Sequence, residues 1–260
     1  MQQGLRVASL LIRRDLHVFF PSILNGFIDS LVWSTLTLTI FSYSSFTVGS
    51  KAVPFAVFMA CGNIAVWGLF EIIGHISKLV GDLTGRRSIE YDLTLPLPQW
   101  MVFVALGISN GMQSMLLSIF VLPISKIILW NQFDLSTVSW GKFFLIFLQA
   151  NLFYGFFALC LASLMDRLDS LKYIWRRIVS PVWLTGGFTF TWMSAYQIFP
   201  RASYLMLLNP LLCAVEGIRG AILGQQDYIN FWYCSLALMG LTSIVAYIGI
   251  SRMMRRLDCL

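Results

Sequence analysis

A chain of 260 residues that is 58% hydrophobic and only 12% charged has too little polar surface to coat a soluble domain of its size, so nearly all of it belongs in lipid. The net charge of +6 does not mark a nucleic-acid binder, because the basic residues fall in short clusters without interleaved stacking aromatics. The five cysteines, Cys61, Cys160, Cys213, Cys234 and Cys259, show neither CxxC nor metal-ligand spacing and read as packing residues.

Cutting the chain at every charged side chain leaves six long uncharged runs, 30–50, 52–70, 93–125, 143–165, 178–200 and 228–251. An α-helix rises ~1.5 Å per residue, so ~20 apolar residues cross the ~30 Å hydrocarbon core of a bilayer. The expected fold is an all-α membrane protein with six transmembrane helices in a single domain, 1–260.

In chain order, 5–20 places Leu5, Ala8, Leu11, Ile12 and Leu16 at spacings of three and four, with Arg6, Arg13, Arg14 and Asp15 elsewhere on the wheel. That pattern predicts an amphipathic helix along the membrane interface, feeding the first span at Pro21. Residues 1–14 lack the apolar core and cleavage site of a signal peptide, so the amino terminus is expected to stay inside. After the second run, 75–95 is the longest charged stretch between spans, with Lys78, Asp82, Arg86, Arg87, Glu90 and Asp92. A helix is predicted at 77–90. In the third run, Gly107-x-x-x-Gly111 allows close helix approach, as does Gly220-x-x-x-Gly224 later. The segment 166–177 is shorter and basic. Between the fifth and sixth runs, 201–227 is too apolar for an ordinary external loop, yet it carries Asn209-Pro210, Glu216, Arg219 and several glycines. Short re-entrant helices are expected there, because broken backbone at membrane depth is tolerated only in protein or beside a wet cavity. Glu216 and Arg219 share a helix face and read as a pair that either neutralises itself or gates.

With the amino terminus inside, Arg6, Arg13, Arg14, Lys78, Arg86, Arg87, Arg167, Lys172, Arg176, Arg177, Arg252, Arg255 and Arg256 fall on the cytoplasmic side, and only Lys51, Lys126, Lys142, Arg201 and Arg219 outside. That split obeys the positive-inside bias and puts both termini in the cytoplasm. Most tryptophans lie near predicted span ends, as an interfacial belt requires. Among polar residues within spans, Asn63, Asn110, Gln113, Gln149 and Asn151 are expected to bond neighbouring helices at ~0.6–2 kcal/mol each. Asp29 and Glu71, the two acids there, are the candidates for a polar path. Glu71 and His75 share a helix face, but two such groups make no metal site. No phosphate-cradling motif exists: Gly81-x-x-x-Gly85-Arg86-Arg87-Ser88 has one residue too few between its glycines and no lysine. The chain is expected not to be an enzyme by itself and to bind no cofactor or metal.

The run Leu208-Asn209-Pro210-Leu211, followed by Glu216-x-x-Arg219 and Gly224, resembles the end of the permease subunit in type-2 ATP-binding-cassette exporters, nearest to those that export capsule polysaccharide and O-antigen. Gly186-Gly187-Phe188 and Phe199-Pro200 look like that family's fifth span and outer helix. Arg87-Ser88-Ile89-Glu90-Tyr91, leading into Thr94-Leu95-Pro96-Leu97-Pro98, is similar to its coupling-helix exit. The resemblance covers essentially the whole chain, and implies a half-transporter in the bacterial cytoplasmic (inner) membrane. Two permease chains, identical or close paralogues, would line a path, and two separate ATPase subunits holding ATP and Mg would grip their cytoplasmic loops. In that scheme the coupling helix 77–90 uses Leu79, Val80 and Leu83 for grip and Lys78, Asp82, Arg86, Arg87 and Glu90 for register. Asn209, Pro210, Glu216 and Arg219 form the re-entrant gate. The implied cargo is a polysaccharide or lipid-linked glycan, with drug or lipid efflux as the near alternative. An ATPase-independent channel or secondary transporter is more remote, because no filter repeat, ring of acids or inverted repeat is present.

Overall fold

The computed structural model describes residues 2–44, 46–49, 52–86, 88–165 and 167–258. Lys51, Arg87 and Cys259 therefore lie outside the described residues, and so does the side chain of Arg86. The chain is a helical membrane protein: among the described residues five helical stretches are long and apolar enough to cross a bilayer, or six when one bent pair is counted as a single span.

Helix α1 (Gln2–Phe19) is amphipathic, with Leu11 buried against the body and Leu5 57% exposed. It lies along α5 (Gln99–Ser118). A short 3-10 turn at Phe20–Ser22, containing Pro21, leads into α2 (Ile23–Ser42). The first long helix thus starts and ends about two turns before the run 30–50, whose last residues enter a small hairpin pairing β1 (Thr47–Val48) with β2 (Val53–Pro54). Only Gly26, Ser30, Ser34 and Leu38 of α2 are buried, a stripe at spacing four that seats it on its neighbours.

Helix α3 (Phe55–Gly81) is apolar on every face and accordingly sits in the centre. A π-turn at Asp82–Arg86 and the short α4 (Ser88–Leu93) follow. Beyond α5 come α6 (Val121–Ile128) and α7 (Trp140–Ser163). Helices α5 and α7 touch backbone to backbone at the predicted glycines. A Cβ on Gly155 of α7 would lie 2.3 Å from the Gly107 carbonyl oxygen and 2.8 Å from the Gly111 Cα. Two of the amides bond between helices, where Ser118 Oγ donates to Asn151 Oδ1 (3.2 Å) and Ser235 Oγ to Gln149 Oε1 (3.0 Å), whereas Gln113 Nε2 donates to Ser109 Oγ within α5 (3.1 Å).

The fifth run, 178–200, is not one helix. It begins inside a π-turn at Trp175–Val179 that continues the short α8 (Leu171–Ile174), and passes into α9 (Ser180–Leu184), after which 185–191 is non-helical. Three further pieces follow: α10 (Trp192–Ile198), α11 (Pro200–Met206) and α12 (Pro210–Ile222), the last two meeting at 91°. The chain closes with α13 (Phe231–Asp258).

Helices α7 and α13 run parallel. Lys142 Nζ lies 5.7 Å from the Phe231 ring at their starts, a Cβ on Gly249 would touch Cys160, and Arg256 donates to the Met165 carbonyl at their ends. Two parallel neighbours require the intervening chain to return from one end of the bundle to the other, and α8–α12 make that return in pieces.

Candidate functional site

The return path breaks at Thr185-Gly186-Gly187. Gly187 has φ +70, and a Cβ on Gly186 would come within 2.4 Å of Leu211, so glycine is required twice for two separate reasons. Breaking a helix leaves its last carbonyls and the next helix's first amides unpaired. Asn209 serves both. Its Nδ2 donates to the Val182 carbonyl of α9 (2.7 Å) and to Thr185 Oγ1 (2.8 Å), while its Oδ1 accepts from Leu211 N (2.9 Å) as the N-cap of α12. Pro210 takes the first helical position, where no amide is needed.

From Leu211 to Ile222 every residue of α12 is buried, packed against α3, α7 and α13. Its carboxyl end reaches the start of α7, where Ser139 N donates to the Ala221 carbonyl (2.9 Å). Gly224, with φ +100, terminates the helix.

Glu216 and Arg219 are both fully buried, yet they are not in ion-pair contact. The ion pairs among the described residues are Arg14–Asp15 and Arg14–Asp92. Arg219 instead holds the broken segment. Its Nη1 donates to the carbonyls of Gly187 (2.6 Å) and Phe190 (3.1 Å), its Nη2 to that of Phe188 (2.7 Å), and the guanidinium lies 3.5 Å over the Phe58 ring. Glu216 accepts the Trp192 amide through Oε1 (2.9 Å) and the Ile229 amide through Oε2 (3.1 Å). The cation takes orphaned carbonyls and the anion takes orphaned amides, each where non-helical backbone passes α12. Hydrogen bonds to charged groups contribute ~1.5–3 kcal/mol each, and backbone left unpaired in an apolar interior is strongly unfavourable. Together they clamp segment 187–192 and the loop before α13.

Gln225 adds to this clamp, donating to the carbonyls of Tyr228 (3.3 Å) and Ile229 (2.6 Å) and accepting from Phe231 N (3.2 Å). Sequence reasoning missed it. Its signal was a polar amide directly after the terminating Gly224 of a buried helix.

The predicted helix 77–90 is absent as a unit, because α3 continues to Gly81 and the π-turn separates it from α4. Leu79 and Val80 are buried in the core, which withholds them from a partner, and Leu83 is half-buried against it. Asp82 turns inward: it accepts from Ser88 N (3.1 Å), Ser88 Oγ (2.6 Å) and Ile89 N (2.9 Å), capping α4. Lys78, Glu90 and Tyr91 are exposed. Asp92, at the other end of α4, receives both terminal nitrogens of Arg14 (2.7 and 2.8 Å), which latches α1 to this loop.

Asp29 is exposed on α2 and Glu71 half-buried on α3, close enough to interact electrostatically. Above them, Trp33 Nε1 donates to Asn63 Oδ1 (3.3 Å), and Phe70 contacts Trp33, Trp67, Trp175 and Trp183 with ring centroids 5.4–6.4 Å apart. The face formed by α2, α3 and α8–α9 is therefore aromatic with an acidic foot. His75 turns away from Glu71 and hydrogen-bonds Ser114 Oγ (3.0 Å). Among the described residues no group of three His, Cys, Asp or Glu side chains is placed to hold a metal. No family model and no curated protein matches this chain.

Proposed function

We propose that this chain is the membrane subunit of an ATP-driven exporter of the type-2 ATP-binding-cassette kind, acting as a pair and powered by two separate ATPase subunits. It crosses the bacterial cytoplasmic membrane six times, with both termini inside. The fifth crossing is composite: α8–α9 supply the inner part, and α12 re-enters to supply the rest. The cargo is a polysaccharide or lipid-linked glycan, drawn along the aromatic face of α2, α3 and α8–α9 with Asp29 and Glu71 at its foot.

The observation that carries the reading is the clamp around α12. Thirteen residues of helix rise only ~20 Å, too short to span a bilayer alone. Two buried charges are spent holding broken backbone beside it. A membrane anchor has no use for such a device, whereas broken helices lining a path recur in transport proteins. The order of Asn209-Pro210, Glu216, Arg219 and Gly224 supports the family, and the basic ends of α1, α3, α8 and α13 support the orientation.

In this mechanism the ATPase grips the exposed surface carrying Lys78, Glu90 and Tyr91, and the sequence between them adds Arg86 and Arg87. Asp82 keeps α4 formed, and the Arg14–Asp92 latch carries loop motion into α1. Leu79 and Leu83 brace the loop from inside. The test is purification of the tagged chain from its native cells in mild detergent, with mass spectrometry and ATP hydrolysis on what co-purifies. A stoichiometric ATPase and a second permease copy are expected. A chain that comes down alone and inert, with crosslinking also capturing no partner, overturns the reading.

A further inference from the structure

The basic stretch before α9 is more than a topology signal. Between α3 and the start of the broken span, Ile73, Leu171, Lys172, Trp175 and Arg176 line an open cleft of about 370 Å³. Its surface is almost wholly apolar, formed by Ile73, Leu171, Trp175 and the stems of Lys172 and Arg176, two cationic residues that are themselves exposed. Lys172 and Arg176 have no carboxylate within ion-pair distance among the described residues. The contact made by Lys172 is with the Tyr173 ring (5.2 Å), which Arg177 shares (5.2 Å). Glu71, two residues before Ile73, interacts with Asp29 and not with these cations. The cleft forms where the helix widens into the π-turn at Trp175–Val179, a local distortion found often at functional positions. Trp175 continues through Phe70 into the aromatic face, with ring centroids 6.4 Å apart.

We infer that this cleft binds the phosphate head of an anionic amphiphile: a phosphate ester on a long alkyl chain, taken from the leaflet on the α1 side. The two cations match a phosphate, the indole suits the headgroup boundary, and Ile73 and Leu171 match the first methylenes of the chain. A zwitterionic lipid offers the same tail but cancels the charge. The inference requires only that the chain spans a bilayer, and stands whether or not an ATPase partner is found.

The experiment places the full chain in phosphatidylcholine nanodiscs seeded with a lipid brominated in its tail. Quenching of Trp175 is isolated by subtracting the Trp175→Phe variant from the nine-tryptophan protein. Brominated phosphatidylglycerol is expected to quench at roughly thirtyfold lower mole fraction than brominated phosphatidylcholine, about fivefold for each cation. Lys172→Gln with Arg176→Gln should erase that preference while leaving phosphatidylcholine quenching unchanged. Lys172→Glu with Arg176→Glu should reverse it, preferring a cationic lipid. Both pairs are exposed, so folding is checked by an unchanged elution profile. Glycerol phosphate, which has the head without the tail, is expected to compete weakly. Full displacement by glycerol phosphate would assign the cleft to a soluble phosphate ester and overturn the amphiphile. Equal quenching by the two lipids, or a preference that survives loss of both cations, would also overturn it.

Discussion

Replacing Arg219 tests whether the broken segment is held by a charged clamp. The guanidinium makes three hydrogen bonds to carbonyls of 187, 188 and 190, delivered from two nitrogens about a fixed plane. Arg219→Met fills similar space but leaves those carbonyls unpaired and Glu216 without its nearby cation. Removing one member of a buried charge arrangement destabilises by about 3–5 kcal/mol. At about 2–4 °C per kcal/mol for a chain of this size, the melting temperature in detergent should fall by ~6–20 °C. Arg219→Lys keeps the charge but presents its donors from one centre, so it should recover only part of the loss. The second readout is hydrogen exchange followed by mass spectrometry. Amides in 185–192 should lose protection in Arg219→Met while those in the α5–α7 contact do not. A methionine variant within about 1 kcal/mol of the parent, or a lysine variant equal to it, would refute the clamp.

Three shorter predictions follow from other contacts. Asp82→Ala should destabilise α4 by about 0.5–2 kcal/mol and raise exchange at Ser88 and Ile89, whereas Lys78→Ala should leave both unchanged; equal effects would return Asp82 to a surface role. Cys213 of α12 and Cys234 of α13 are buried free thiols on two packed helices, close enough to interact. With the other three cysteines changed to serine, copper-phenanthroline oxidation should join them within one chain, and peptide mapping that finds only intermolecular disulfides would misplace α12. Gly155→Leu should block folding because its Cβ meets the Gly107 carbonyl, whereas Gly141→Ala on the same helix faces open space and should be neutral by thermal shift.

Five of the six uncharged runs correspond to long helices, because a run without charges is itself the physical requirement for crossing lipid. The first was shifted for an identifiable reason. Asp29 was treated as a boundary, but it projects from the surface of α2, so the helix extends behind it to Ile23. The fifth failed because apolarity says nothing about continuity: Gly186-Gly187 interrupts a run that contains no charge. The Glu216–Arg219 pairing failed at a different level. A spacing of three fixes a shared helix face but not what lies opposite, and what lies opposite is backbone supplied by residues 24 to 32 positions earlier and by Ile229. Asn209 was legible as an N-cap before Pro210. Its reach to Val182 was not, since that depends on α9 ending where α12 begins. The loop residues misled because the hydrophobic pattern of α3 continues through Leu79 and Val80, which made core residues look like a docking face.

These constraints also limit where movement can occur. Helix α12 is buried from Leu211 to Ile222, capped at one end by Asn209 and bonded at the other to Ser139, with Glu216 and Arg219 gripping the chain before α10 and before α13. Sliding it would break several charge-assisted bonds at once in a medium that offers no replacements. Helices α10 and α11 pack chiefly on each other and expose Met193, Ile198, Phe199, Tyr204, Leu205 and Leu208. The joints at their two ends are the non-helical 185–191 and the 91° bend before Pro210. The contacts therefore leave the α10–α11 hairpin freer to tilt than α12, which the charged clamp holds in place.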